Sequence, residues 1–310
     1  MQIAVTGATG FVGRYIVRRL IDAGHTCRCW YRPEGDRSGL EFPESQLQWI
    51  SGWLGDSASS LELVRDCDAV AHAALHHPGA GFRGEEGDLL DFCRQNVLGT
   101  LQLIEAARTT GVGRFVYVST CAVHEKILDD RPLDETHPLW PNSHYGAHKA
   151  AIEKFVHSYG LGGGYAICGV RPTGVYGLTH PPSHSKWWDL VQQVVRGEPV
   201  VCRSGGKEVH AADVARAVEL LLTADGIHGQ VYNCYDRYIS DYDVAMTAKQ
   251  LIGSNSAIEG QATVPRHQIE TAKIQSLGME FGGTPLLEKT VEQMIEAIRA
   301  SASLAKASGA

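Results

Sequence analysis

Short apolar runs alternate with segments of helical period through the first half of the chain. Residues 3–5 read as a strand, and Val12, Ile16 and Leu20 then recur at helix spacing. Gly24 stops that helix, and 25–31 reads as a second strand. A weaker third strand at 48–50 and a fourth at 69–71 flank a helix around 60–66. A long helix is predicted over 89–108, stopping at Gly111, and then a strand at 115–118. A helix over 144–159 and a strand over 166–170 complete the series. Strand and helix in strict alternation predict an α/β fold: a parallel sheet with helices on both faces.

Beyond residue 178 the pattern changes. A Pro-rich loop, T-H-P-P-S-H-S at 179–185, precedes helices predicted over 187–196, 213–224 and 285–300. Thr284 is the expected N-cap of the last, with Pro285 at its first position. The expected organisation is a sheet domain over 1–177, to which 207–235 returns. A smaller lobe is expected from 178–206 and 236–300, with a frayed, low-complexity tail at 301–310.

Composition narrows the classes. Hydrophobic residues at 44% and charged ones at 20% of 310 residues are ordinary for a soluble globular protein. A net charge of −7 and a pI near 6.0 argue against nucleic acid or an anionic membrane as the main partner. The chain starts on an apolar run without the basic start of a signal peptide, and no segment has the length of a membrane span. Eight scattered cysteines show no metal-ligand spacing, so a reduced, cytoplasmic set of buried hydrophobes is expected. His76, His77 and His124 have no carboxylate or cysteine at a helpful spacing, and no metal is expected. Glu85 and Glu86 are read as a loop near the substrate mouth.

T-G-A-T-G-F-V-G, residues 6–13, stands between the first strand and the first helix, where a dinucleotide-binding turn belongs. Gly7 suits a tight turn, Gly10 close approach of a pyrophosphate, and Gly13 close packing of helix on strand. Further along come G-D at Gly55-Asp56, A-H-A-A at 71–74, N-V-L-G-T at 96–100, V-S-T at 118–120, Y-G-A-H-K at 145–149 and R-P-T-G-V-Y-G at 171–177. With G-x-x-G-x-x-G spacing and this order, residues 1–290 resemble the extended short-chain dehydrogenase/reductases, the nucleotide-sugar epimerases and dehydratases. The resemblance implies a Rossmann-type doubly wound sheet with a smaller C-terminal substrate lobe. It implies cofactor contacts at Gly7, Thr9, Gly10, Phe11, Val12, Gly13, Asp56 (adenine), Ala73, Ala74, Lys149 and Pro172.

NAD-selective members of that family end the second strand with an acid. Here Tyr31 is followed by Arg32, which suits a 2′-phosphate, and Arg14 and Arg37 are available to the same pocket. NADP is therefore favoured over NAD.

By resemblance Tyr145 transfers the proton, Lys149 lowers its pKa and holds the nicotinamide ribose, and Thr120 hydrogen-bonds the reacting oxygen. Ser119 is a second candidate that sequence does not separate from Thr120. Dehydratases carry an Asp-Glu pair after that threonine; Cys121-Ala122 replaces it and disfavours dehydration. Cys121 and His180 suggest a 3,5-epimerase/reductase, with the cysteine one position out of that pattern and an inert buried thiol as the competing reading. The stretch where relatives hold a diphosphate with arginine reads G-K-E-V-H-A-A-D-V-A, 206–215, with Lys207 and nearby Arg203 as its cations.

The expected function is NAD(P)-dependent oxidation, reduction or epimerisation at a sugar or nucleotide-sugar carbinol. A reductase or dehydrogenase of a smaller carbonyl or sugar-acid substrate is the alternative. A non-catalytic cofactor-binding regulator is a third, which retention of Thr120, Tyr145 and Lys149 disfavours. A homodimer built on the helices at 89–108 and 144–159 follows from the resemblance.

Overall fold

The computed structural model describes residues 1–79 and 86–308; Glu85 and the last two residues lie outside the described residues. Its strands are β1 Gln2–Thr6, β2 Thr26–Tyr31, β3 Leu47–Ser51, β4 Ala69–His72, β5 Arg114–Val118, β6 Ala166–Pro172, β7 Gly174–Tyr176, β8 Val200–Cys202, β9 Gly205–His210, β10 Gln230–Cys234, β11 Arg237–Ser240 and β12 Ile258–Gly260. The α-helices are α1 Phe11–Asp22, α2 Ser57–Val64, α3 Leu89–Cys93, α4 Gly99–Thr109, α5 His144–His157, α6 Trp188–Val195, α7 Ala211–Thr223, α8 Asp241–Ile252, α9 Ala272–Gln275 and α10 Gly283–Ser308.

Seven strands pair in parallel in the order β10-β6-β5-β4-β1-β2-β3. The chain runs outward from β1 to β3 and then resumes on the other side of β1 with β4. That reversal is the switch point of a doubly wound sheet, where a crevice opens beyond the strand ends. Ile3, Ala4, Val5, Val70, Ala71, Phe115 and Val116 are wholly buried, as strands covered on both faces require. On one face Ala4, Val70, Phe115, Tyr117 and Ile167 pack with Leu63 and Val64 of α2, Leu103 and Ile104 of α4, and Ile152 and Val156 of α5.

The chain divides into two compact units. The larger contains Met1–Thr173, Val214–Cys234 and His267–Met279, and the smaller Gly174–Asp213, Tyr235–Arg266 and Glu280–Ala310. The sequence assigns 207–235 to the sheet domain in one piece; 207–213, carrying most of β9, instead clusters with the smaller unit, and 267–279 with the larger. The smaller unit holds a β11-β9-β7 sheet and the pair β12-β8. Its core joins α6, α8 and α10 through Val191, Val194, Val244, Ala248, Val291 and Met294.

Several local expectations are corrected. The helix at 89–108 contains a π-helical stretch, Arg94–Leu98, between α3 and α4. The helix expected at 60–66 is Ser57–Val64, because Asp56 caps it and Asp66 takes φ +56°. Thr284 lies inside α10 rather than capping it, and its hydroxyl meets Arg237. The tail is helical through Ser308 rather than frayed from 301. No helix among the described residues is long and apolar enough to cross a membrane. Nor do three or more His, Cys, Asp or Glu residues among them converge as a metal site.

Candidate active site

The first turn is built by steric necessity. Gly7 takes φ +72°, and a Cβ there would stand 2.7–2.8 Å from the backbone of Ala73 and Ala74. A Cβ at Gly13 would collide with the carbonyl oxygen of Gly7, so only glycine lets α1 pack on the turn. Gly10 differs from both: a Cβ there has one neighbour, the Gly7 oxygen at 3.2 Å, and otherwise faces open space. Gly10 caps α1 without a side-chain hydrogen bond, and the first turn of α1 carries no acid. An open glycine at an uncapped helix N-terminus at the switch point fits the pyrophosphate of a nicotinamide dinucleotide. Thr9, Phe11 and Val12 surround it in the same turn.

Behind the turn, His72 of β4 bonds Thr6 at 2.6 Å and Thr100 of α4 at 3.0 Å. Thr6 Oγ1 also accepts the Ala74 N–H at 3.1 Å. Complete burial pushes the His72 pKa down to about 3, so the ring is neutral and acts as a brace. Asn96 clamps the loop after β4: its Oδ1 accepts the His76 N–H and its Nδ2 donates to the His76 carbonyl, each at 2.8 Å.

Of the cations expected near a 2′-phosphate, Arg14 and Arg37 are engaged within the protein. Arg14 is buried, donating to the carbonyl oxygens of Thr9, Asp36 and Ser38 at 3.1, 2.6 and 2.5 Å. It props the loop after β2 rather than offering its charge to a ligand. Arg37 stacks on Tyr31, 4.5 Å from the ring centroid. Arg32 is exposed. Asp56 spends its carboxylate on the N-cap of α2, accepting from Ala58 and Ser59 at 3.1 and 3.3 Å.

The second half of the site joins the end of β5 to α5. Thr120 is extended, and its hydroxyl oxygen accepts the Ala122 N–H at 3.1 Å, opening a short 3₁₀ turn, Cys121–His124. Ser143 caps α5. Gly146 lets the two meet: a Cβ there would lie 2.6 Å from the Ala122 carbonyl oxygen and 2.8 Å from Pro141. The helix turn carrying Tyr145 therefore packs against the turn that begins at Thr120. One turn along α5, buried Lys149 donates to the Val118 carbonyl at 2.8 Å, with Nζ 4.7 Å from the Tyr117 ring centroid. Burial pushes the Lys149 pKa down to about 7, and Glu153 opposes that shift. The Tyr145 ring lies 5.5 Å from that of His148, and the Tyr145 N–H donates to Glu86 at 3.3 Å. Glu86, expected in a loop near the substrate mouth, is buried.

Sequence reasoning missed the charge cluster under this turn. Glu153 and Arg171 are both wholly inside, and the guanidinium donates to the two carboxylate oxygens at 2.9 and 2.7 Å. Ser119 donates to the same carboxylate at 2.5 Å, so its hydroxyl is committed inward and Thr120 is the available member of the pair. Arg171 also donates to His124 Nε2 at 3.1 Å; an imidazole that accepts from a guanidinium is neutral, in line with its pKa of about 3. Cys121 donates to the Arg171 carbonyl at 3.0 Å, and burial raises its pKa to about 12. A thiol so held favours the inert reading of Cys121 over a proton-transfer role. Pro172 ends β6, paired with Cys234 of β10. His180 and Arg203 are exposed in the smaller unit.

A glycine-turn dinucleotide site at the switch point, with a Thr, a Tyr and a Lys on the adjoining strand end and helix, defines the class: a Rossmann-fold protein built for a nicotinamide cofactor. The chain belongs to the NAD dependent epimerase/dehydratase family, whose model matches residues 3–234. It is 30% identical over 307 residues to the dTDP-D-glucose 4,6-dehydratase of Mus musculus, covering 89% of this chain and 83% of that one. A trifunctional UDP-glucose 4,6-dehydratase/3,5-epimerase/reductase of Arabidopsis thaliana is 28% identical across 90% of this chain, which spans only 44% of that enzyme's length. The structure of MoeE5 with UDP-glucose and NAD superposes with a TM-score of 0.74 at 26% identity, covering 97% of this chain and 99% of that one. The NAD complex of Thermus thermophilus UDP-glucose 4-epimerase gives a TM-score of 0.76 at 24% identity over 96% and 99%, a likeness of fold.

Proposed function

We propose that the protein is a nicotinamide-dependent oxidoreductase or epimerase acting at the carbinol of a sugar or sugar derivative. The observation that supports this best is the packing of Gly146 against Ala122, which joins the Tyr145–Lys149 helix to the Thr120 turn. The bound nicotinamide would accept or return hydride at the carbinol carbon. Tyr145 takes the carbinol proton, or gives it back to a carbonyl oxygen. A phenol has a pKa near 10, and the Lys149 ammonium one turn away favours its anion. The Thr120 hydroxyl hydrogen-bonds the reacting oxygen and orients it toward Tyr145. Glu153, through Ser119 and Arg171, holds the strand end from which Thr120 projects. With Cys121-Ala122 after Thr120, no acid–base pair stands there to eliminate water.

NADP is the proposed cofactor, although MoeE5 and the Thermus epimerase were solved with NAD. The support is local: no acid follows Tyr31, and exposed Arg32 stands beyond the glycine turn. Fluorescence titration with NADPH and NADH tests it. NADPH is expected to bind more tightly, and Arg32→Ala to weaken NADPH about tenfold while leaving NADH unchanged. NADH preference insensitive to Arg32→Ala would refute the assignment.

The smaller unit is the proposed substrate lobe. A homodimer through α3, α4 and α5 is proposed because Leu90, Leu98, Phe155 and Leu161, on or beside them, stay 39–73% exposed. A cytoplasmic location accords with eight cysteines that are all free.

A further inference from the structure

Among the described residues of the smaller unit, two buried side-chain atoms have no hydrogen-bond partner: Glu208 Oε2 and Tyr176 Oη. Both residues are inside, at 1% and 0% exposure. Their strands bring them together. Parallel β7 and β9 set Gly174 beside Glu208 and Tyr176 beside His210, so these four and Gly206 share one sheet face.

The carboxylate occupies room that two side chains would otherwise fill. A Cβ at Gly174 would lie 2.6 Å from Oε2, and one at Gly206 would collide with Oε1. The acid is thus fitted into the sheet by two glycines rather than tolerated at its surface. Lys186 pairs with Oε1 alone. Its ammonium also sits 5.1 Å from the Trp187 ring, which is 5.3 Å from that of Tyr176.

A buried carboxylate with one bare oxygen, beside a bare phenol, is unfavourable until something completes its hydrogen bonds. Ionised in its pair with Lys186, the carboxylate can only accept at Oε2, so its complement must bring O–H or N–H hydrogens. A diphosphate brings none and adds negative charge. Lys186, the cation in contact with this carboxylate, is already paired with it. The stretch where an arginine is expected against a diphosphate opens here with Gly206.

Resting on the carbinol oxidoreductase reading, we infer that the smaller unit recognises hydroxyl or ammonium hydrogens of an unphosphorylated sugar, polyol or amino sugar and selects against nucleotide diphosphates. Glu208 accepts from the ligand, Tyr176 adds a second hydrogen bond, and Trp187 offers an apolar edge to the ring.

Isothermal titration of the cofactor-saturated protein tests this, using UDP, UDP-glucose and a panel of free hexoses, pentoses, polyols and hexosamines. At least one free compound is expected to bind, with UDP and UDP-glucose at least 100-fold weaker. Tighter binding of hexosamines would assign the contact to an ammonium, and of neutral sugars to hydroxyls. Glu208→Gln should weaken the best ligand at least tenfold and narrow the handicap of UDP-glucose, while unchanged NADPH affinity shows the variant folded. Tighter binding of UDP-glucose than of every free compound would overturn the inference. So would no binding by any of the panel, or unchanged ligand affinities in a folded Glu208→Gln. Sugar binding as expected, without Tyr145-dependent hydride transfer, would uphold this inference and remove the oxidoreductase reading.

Discussion

Three glycines in one turn have three different obligations, and substitution separates them. Alanine at Gly13 must displace the Gly7 carbonyl, a backbone atom that cannot rotate away. The expected cost is about 1–3 kcal/mol or more, as for overpacking elsewhere, seen as a lowered Tm together with lost cofactor binding. Alanine at Gly10 meets only the Gly7 oxygen, at 3.2 Å, so Tm should fall less than in Gly13→Ala while NADPH affinity falls at least tenfold. Equal loss of Tm in both variants, read by thermal unfolding without cofactor, would mean that Gly10 is a packing residue only. The turn was legible from spacing and context, whereas Glu153 was not. Four residues after Lys149 on a helix, it reads as a solvated i,i+4 partner. It is buried because Arg171, 18 residues on, reaches it from β6. Gly146 stands inside the Y-x-x-x-K motif, and its small size is the signal that two backbones meet there.

Elements were easier to find than their ends or their partners. Period and glycine stops locate every strand of the parallel sheet through β6. They do not reveal the π-helical stretch Arg94–Leu98, where one extra residue per turn turns Asn96 inward onto the loop after β4. The same helices show apolar residues that nothing among the described residues covers. Leu90 is 73% exposed, Leu98 55% and Phe155 39%. Burying such residues is worth roughly 1.5–3 kcal/mol each, enough for a few to decide an association. Sedimentation is expected to give about twice the 33.7 kDa chain mass, and Leu90→Glu with Leu98→Glu to give single chains at micromolar concentration. A wild-type chain that sediments alone would remove the dimer.

At the scale of the molecule, proton uptake sets an acid limit. Burial holds His72 and His124 to pKa values of about 3, His148 to about 2 and His210 to about 4. Unfolded, each titrates near 6.5, so between that pH and its folded value the unfolded chain binds more protons. Stability therefore falls as pH drops below about 6.5, by ~1.4 kcal/mol per unit for each ring. By pH 5 that is roughly 2 kcal/mol per histidine, and four together approach the whole stability of a typical domain. Glu208 and Asp236, whose carboxyls burial pushes up, oppose the trend at lower pH. Lys149 acts in another window: lowered to about 7, it makes stability rise with pH from there toward 10.5. Tm should thus drop steeply from pH 6.5 to 5, and a flat profile would contradict neutral burial of these rings. Chain discontinuity explains why the smaller unit was the least legible part. Its three segments are separated by stretches of the larger one; within the first, Gly174 lies 34 residues before Glu208, and only the pairing of β7 with β9 makes them a group.

Hydride transfer that depends on Tyr145 is the most direct test. Absorbance at 340 nm would be followed for wild type and Tyr145→Phe with saturating cofactor and the best-binding compound. Loss of one phenolic hydroxyl should cut turnover about 10²–10⁴-fold while NADPH affinity stays within a factor of a few. Turnover in Tyr145→Phe at the wild-type rate would contradict the assignment of Tyr145 as the proton-transfer residue.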